Sequence, residues 1–344
     1  MQREFCHDIV FQHLRIPSEI WTVTYYAVYG VTVETDFPFT WPVPRSSAPA
    51  DLRFELTDTA PVEVDWDGAP AIHRVSGPPV VETGEQNESA VTYHGLDGLD
   101  VIRIRDTADH YVFSDRVVCH LYRPEWSFLA EIQFLGIVLA LWLERQGTAT
   151  LHASAAVVGD EAVAFLGAKG GGKTTAVTAL VAAGHPLLVD DLLAVGLEGE
   201  RLMARPGYPM LRLEPDQVQH FVGGRQSLPI VHPDFTKRRV RVGEGFGAFY
   251  GESAPLRRVY VPVRQRDPEA PVAIEPLRPR DAVLAMLQHS YLRDALHPMG
   301  LDERRFETLA QALKGVRFAA LRYPNGFEHL PSLVQAVERD LARE

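Results

Sequence analysis

The sequence predicts a mixed α/β chain in two parts, a smaller β-rich N-terminal region followed by a larger region in which strands and helices share one core. Three observations carry this. Residues 21–29 and 31–35 are dense in β-branched and aromatic side chains and are followed by Pro and Gly clusters, as strands and their turns are. From Leu151 onward the pattern changes to short apolar strands, a glycine-rich loop and helical stretches. The 344 residues, 46% hydrophobic and 23% charged, have a globular balance and suffice for two modest domains, which excludes a disordered or fibrous chain. The junction is placed near residue 125, giving a β-rich domain over 1–125 and an α/β domain over 126–344.

Along the chain, further strands are expected at 52–56, 101–104, 111–113 and 117–122. Residues 127–146 predict a helix whose nearly continuous apolar content places it between two layers, with Gly147 as its stop. Residues 155–158 and 161–166, joined by Gly159-Asp160, predict a β-hairpin. A helix over 174–183 closes at Gly184, and a strand over 186–189 ends at Asp190-Asp191. Residues 201–266 predict short strands and loops around a Gly-rich run at 243–251. Helices over 279–293, 302–314 and 330–341 finish the chain. No repeat of fixed period is present.

Charge and cysteine usage narrow the function classes. The net charge is −11, and residues 31–110 hold fifteen acidic and five basic side chains, so a general nucleic-acid binder is excluded. Cys6 and Cys119 are too few for a disulfide framework or a four-cysteine zinc site, which points to a reducing compartment. The first twenty residues carry Arg3, Glu4, Asp8 and Arg15 without an apolar run, so no signal peptide is expected. The most apolar stretch, 132–143, lies between Glu131 and Glu144 and is too short to span a bilayer. A cytoplasmic protein without membrane attachment is therefore expected.

Gly167-Ala-Lys-Gly-Gly-Gly172-Lys173-Thr174 matches G-x-x-x-x-G-K-[ST] in full. The four fixed positions match by chance in roughly one chain in a hundred of this length, and the preceding strand and following helix supply the context the motif needs. Glycines let main-chain N–H groups converge on phosphate oxygens, and the helix start adds its positive dipole end. Lys173 reaches the outer phosphates, and the Thr174 hydroxyl can ligate Mg²⁺. Gly167, Gly170, Gly171, Gly172, Lys173, Thr174 and Thr175 are thus the nucleotide-binding candidates.

One helix, one turn and one strand separate this loop from Asp190-Asp191, which places the carboxylates beside bound phosphates. One of the pair can hold Mg²⁺, directly or through water, and the other can accept a proton from an attacking hydroxyl. His152 stands just upstream of the hairpin.

Leu151-His-Ala-Ser-Ala, then Ala164–Thr175 with its phosphate loop, then Gly184-His-Pro-Leu-Leu-Val-Asp-Asp resembles the catalytic core of HPr kinase/phosphorylase. The likeness extends to its stand-alone relatives, among them the kinases of lasso-peptide precursors. It is close over 151–195 and looser around Tyr29-Gly30-Val31 and 316–341. The resemblance implies a phosphoenolpyruvate-carboxykinase-type P-loop domain with a mixed sheet. It implies ATP and Mg²⁺ as cofactors and transfer of the γ-phosphoryl to a serine-type hydroxyl. On it, Asp190 maps to the general base, Asp191 to a Mg²⁺-associated carboxylate and His152 to the active-site histidine. The family's downstream Glu-Ile-Arg-Gly-type segment is not found; 206–214 stands in that neighbourhood, which argues against HPr itself as substrate.

Residues 201–266 hold twelve basic and five acidic side chains within an acidic protein, a segregation that favours an anionic ligand or peptide nearby. Most of these residues read as solvated surface. Lys237 and Arg238, after a turn-like His232-Pro-Asp-Phe-Thr, are expected to fold over the triphosphate and offset charge on the transferred phosphoryl, with Arg212 a weaker candidate. The leading reading is a kinase acting on a peptide or small protein, with the β-rich domain and the basic zone as acceptor platform. The alternatives are a nucleotide-binding regulatory protein and a kinase of a free small molecule such as serine. The oligomeric state is left open, a homo-oligomer included.

Overall fold

The computed structural model describes residues 22–66, 68–69, 71–76, 89–96, 98–223, 228–231 and 236–343. Cys6, the first twenty residues and the turn at 232–235 lie outside them. The chain divides into two compact units. One holds the described residues through Tyr26, Thr32–Thr40 and Arg45–Val138; the other holds Ala27–Val31, Trp41–Pro44 and Leu139–Glu344. The division falls at Val138/Leu139, whereas the sequence places the junction near residue 125.

The first unit is built on strands β1 (Thr24–Val28), β2 (Val31–Thr35), β3 (Leu52–Thr57), β4 (His73–Ser76), β5 (Ser89–Leu96), β6 (Leu99–Ile104), β7 (Ala108–Val112) and β8 (Arg116–Leu121). They form an eight-stranded sheet in the order β1-β2-β3-β8-β7-β6-β5-β4. β3 runs parallel to both β2 and β8, and the remaining pairs from β4 to β8 are antiparallel. In β3, buried Leu52 and Phe54 flank exposed Arg53, the alternation of a strand with one covered face. Phe54 stacks on Phe134 with centroids 3.9 Å apart.

The expected helix over 127–146 is interrupted. It runs as α1 (Ser127–Gln133), a π-helical turn at Phe134–Val138, and α2 (Leu139–Arg145). The break is at Gly136, whose φ of −109° and ψ of −106° lie outside the helical region. Pro124–Arg145 together is 22 residues; its most apolar 18-residue window has a mean hydropathy of 1.7, and 67% of that window is buried inside the protein. By length and composition it could cross a bilayer, so the shorter apolar run understated it; such burial is also what a core helix shows.

The second unit's strands are β9 (Ala149–Leu151), β10 (Ala153–Val158), β11 (Glu161–Leu166), β12 (Leu187–Val189), β13 (Leu193–Glu198), β14 (Arg201–Arg205), β15 (Met210–Leu213), β16 (Arg238–Arg241), β17 (Ala254–Gln265), β18 (Ala273–Pro276) and β19 (Arg317–Pro324). Its helices are α3 (Lys173–Ala182), α4 (Pro215–Val222), α5 (Pro279–Gln288), α6 (Arg293–Leu296), α7 (Asp302–Gly315) and α8 (Leu330–Ala342). The main sheet has the order β12-β10-β11-β17-β14-β13-β9, with β19 beside β17 and β18 beside β19. β10 and β11 form the expected hairpin, antiparallel from Ala153 opposite Leu166 to Val158 opposite Glu161. β11, β17 and β19 are mutually parallel neighbours. The sheet is therefore mixed.

Two elements within 201–266 were not expected. β17 is twelve residues long; its start pairs with β14 and its later part with β19. α4 is a helix with Pro215 in its first turn and a reciprocal capping box between Glu214 and Gln217.

α3 is buried along most of its length. Val177, Leu180 and Val181 are buried against Val163 and Phe165 of the sheet and Leu333 and Val337 of α8. Each such side chain contributes about 1.5–3 kcal/mol. That packing fixes the start of α3, and with it the loop before it.

Candidate functional site

The site gathers at the ends of strands. β11 delivers the chain into Gly167, and α3 begins at Lys173. Between them the loop turns tightly, with Gly171 N–H donating to Ala168 O at 3.0 Å. Gly170 and Gly172 take φ of 77° and 98°, the left-handed region that favours glycine. At Gly172 there is a second reason: an added Cβ would come within 2.3 Å of the Tyr323 hydroxyl.

Lys173 is buried, and its ammonium donates to Gly167 O at 2.7 Å and Ala168 O at 3.0 Å. It folds back onto the loop that it follows. Burial lowers its pKa, Asp191 and Asp190 oppose the shift, and Lys237 adds to it. Thr175 is buried and its hydroxyl accepts from Gln217 Nε2 at 2.6 Å, which ties α3 to α4. Lys169 is exposed.

β12 carries the chain to Asp190. It is not adjacent to β11: β10 lies between, antiparallel to each, so β12 runs in the same direction as β11 one strand away. Asp190 is 5% exposed, and both its oxygens are engaged. Oδ1 accepts from Ser154 Oγ at 2.7 Å and from Thr174 Oγ1 at 3.0 Å, and Oδ2 accepts from the Arg212 main-chain N–H at 3.0 Å. The loop hydroxyl expected to ligate Mg²⁺ is thus bonded to the first carboxylate of the pair, not to the second.

Asp191 sits in a different setting. Its φ is 81°, a region costly for a non-glycine residue. Arg212 Nη1 donates to its Oδ2 at 2.6 Å, and His152 Nδ1 lies 3.3 Å from its Oδ1. Burial alone would raise its pKa, but the charges of Arg212, His152, Lys237 and Lys173 outweigh burial and hold the carboxyl below its ordinary value. His152 is pushed the other way from a protonated state: burial lowers its pKa, against the attraction of Asp191, and Lys173 adds to the lowering. The position of His152 is fixed by a main-chain bond from its N–H to His289 O at 2.7 Å.

Arg212 links the two carboxylates. Its main-chain N–H meets Asp190, its guanidinium meets Asp191, and Nη2 donates to the Tyr208 hydroxyl at 2.9 Å. Its guanidinium also lies 5.2 Å from the Trp41 ring centroid. The strand that carries it, β15, is held by antiparallel pairing with β16. Lys237 stands just before β16, close enough for its charge to act on both Asp191 and Lys173. Arg238 begins β16, opposite Leu213.

The structure therefore brings together Lys173, Thr174, Asp190, Asp191, His152 and Lys237. Sequence reasoning missed Ser154 and Tyr208 and undervalued Arg212. For Ser154 a signal existed: it stands two residues from His152, and residues two apart in an extended segment share a side.

Hydroxyl and carboxylate oxygens paired at the loop, as Thr174 and Asp190 are, suit Mg²⁺, a hard cation bound through one or two protein oxygens plus phosphates and water. Among the described residues no group of three or more His, Cys, Asp and Glu side chains forms a cage that could hold a metal by itself.

No protein-family model and no curated protein matches the chain. Among solved structures, the Hpr(Ser) kinase/phosphatase from Coxiella burnetii aligns over 56% of this chain and 97% of its own, at 15% identity and a TM-score of 0.32. The likeness is distant, and function rests on the atoms of the site.

Proposed function

We propose that the chain is a phosphotransferase that takes the γ-phosphoryl of ATP and passes it to a hydroxyl, serine-type and borne on a peptide or small protein. The observation that carries this reading is the bond from Thr174 of the phosphate loop to Asp190, with Asp191 next in sequence and 3.3 Å from His152 Nδ1.

The main-chain amides of Gly170–Thr175 receive the phosphates, and Lys173 leaves its loop carbonyls for the outer phosphate oxygens. Thr174 and Asp190 would hold Mg²⁺, which when bound would neutralise charge at the transferred group. Asp190 is buried, and both its oxygens already accept from protein donors, which leaves little room for an incoming hydroxyl. Asp191 is the better placed of the two to take the proton: Arg212 fixes one of its oxygens, and the other faces His152. This reverses the division that the family resemblance implies. The acceptor O–H gives its proton to Asp191, its oxygen bonds to the γ-phosphorus, and the bond from that phosphorus to the β-bridging oxygen breaks to release ADP. Lys237 adds positive charge beside the group in transfer.

The test is transfer of labelled γ-phosphoryl from Mg-ATP to a panel of serine-containing peptides. Wild type is expected to label at least one, and Lys173→Ala none. ATP binding without transfer to any peptide, amino acid or water would favour a regulatory nucleotide-binding role instead.

A further inference from the structure

A groove of about 760 Å³ lies among α5, α6 and α7 of the second unit. Leu287, which ends an exposed apolar turn of α5, Leu296 of α6 and Phe306 of α7 line it. Phe306 is 66% exposed, more than any other large apolar side chain among the described residues. Leu284, one turn before Leu287 on α5, is exposed too. Apolar side chains gathered in water around a concave surface mark a binding site.

The groove meets the candidate active site at one segment. Ser290 lines the groove, and its neighbours on either side touch His152. His289 O accepts the His152 N–H at 2.7 Å, and the Tyr291 ring centroid lies 6.0 Å from that of His152. Ser290 itself pairs with Leu151. The His289 imidazole feels both places: burial lowers its pKa, and Lys173 and His152 of the site and Arg293 of the groove add to the lowering. Asp191 Oδ1 lies 3.3 Å beyond His152 Nδ1. One residue step, one hydrogen bond and that contact leave the groove edge on the order of 10 Å from the carboxylate, a span of about three extended residues.

Charge narrows the occupant further. Glu303 and Glu307 stand four residues apart on α7, hence on one side of it, and both are exposed at the groove. The cations beside them are engaged: Arg305 pairs with buried Glu144, and Arg293 with Asp294. The rim is therefore acidic and complements a basic residue.

We propose that this groove seats an apolar side chain of the acceptor peptide, with a lysine or arginine of that peptide against Glu303 and Glu307, so that a serine about three residues along reaches Asp191. The inference rests on the phosphotransferase reading and adds to it which peptides are taken. The groove lies outside the basic stretch 201–266.

The test uses the full chain, Mg-ATP and short serine peptides that differ only in carrying leucine or alanine about three residues from the serine, and lysine or glutamine beside it. Leucine is expected to lower the peptide KM at least tenfold against alanine, with kcat within about twofold, as uniform binding does. Phe306→Asp, at an exposed position, is expected to erase that difference and leave the KM for Mg-ATP unchanged. Glu303→Lys is expected to raise the KM of lysine peptides and not of glutamine peptides. If wild type phosphorylates these peptides while neither leucine nor Phe306→Asp moves the KM, the inference is overturned and the phosphotransferase reading stands. If Phe306→Asp instead splits a dimer in sedimentation and leaves the peptide KM alone, the groove is a contact between copies, and the inference is again overturned. If wild type phosphorylates no peptide, the reading of a peptide acceptor fails, and the inference with it.

Discussion

The Thr174 hydroxyl donates to Asp190 Oδ1 at 3.0 Å, so the phosphate loop and the carboxylate beyond β12 are one hydrogen-bonded unit, although a strand lies between β11 and β12. Asp190 also accepts from Ser154 and from the Arg212 main chain. Its side chain is therefore structural as well as functional. Asp190→Ala strands three donors and is expected to destabilise the second unit by about 2–4 kcal/mol. Urea unfolding measures this. A loss under 0.5 kcal/mol, well below that order of magnitude, would contradict the network.

Arg212 sets the protonation of Asp191. With Arg212→Met, burial is no longer opposed by the adjacent guanidinium, and the Asp191 carboxyl rises. A base must be ionised, so the acid limb of the pH–transfer profile is expected to move to higher pH. The same depressed carboxyl contributes stability in wild type above its unfolded pKa, and that contribution is lost as pH falls through the folded one. Transfer rates across pH for both proteins check the sign. An acid limb that stays in place separates Asp191 from the base role.

Much of this site was legible in the sequence, and the limits have physical causes. The glycine loop shows because its tight turn demands glycines at set positions, as the left-handed φ of Gly170 and Gly172 shows. Asp190-Asp191 shows because one short helix and strand return the chain to the loop. Arg212 does not, since it reaches the pair only through the pairing of β15 with β16, more than twenty residues on. β17 hides because Arg257, Arg258, Pro262 and Arg264 interrupt its apolar pattern. α4 was within reach, as Glu214, Pro215 and Gln217 mark its start, but its eight residues carry little periodicity. The Tyr323 hydroxyl, which has no hydrogen-bond partner among the described residues, has no sequence signature at all.

His110 makes the first unit sensitive to acid. It is fully buried, Nε2 lies 2.9 Å from Gln133 Oε1, and burial pushes its pKa down to about 4. The unfolded chain takes up that proton near pH 6.5, the native one only near 4, so stability falls as pH drops through this window. The loss amounts to about 3 kcal/mol across it. His110→Gln is expected to flatten this part of the stability–pH curve. An unchanged slope would place the titration elsewhere.

Glu144 and Arg305 form a buried ion pair, with side chains 3% and 2% exposed. Glu144 Oε1 also accepts from the Thr150 N–H at 2.6 Å and hydroxyl at 2.8 Å, and Arg305 Nη2 donates to Thr150 O at 2.9 Å. Either Glu144→Leu or Arg305→Met leaves a buried charge unpaired and is expected to cost about 3–5 kcal/mol. The double variant is expected to recover a large part of that. Thermal unfolding of the three proteins measures the coupling, and additive losses would show that the pair is not coupled.

Under the proposed function, Asp191 accepts the proton of the acceptor hydroxyl, and ATP binds without its help. The most direct measurement takes Asp191→Asn and follows, in one preparation, Mg-ATP affinity by calorimetry and phosphoryl transfer by intact mass of the acceptor. Affinity is expected within about threefold of wild type, and transfer down at least a hundredfold, as for loss of a general base. Undiminished transfer by Asp191→Asn would contradict the central claim.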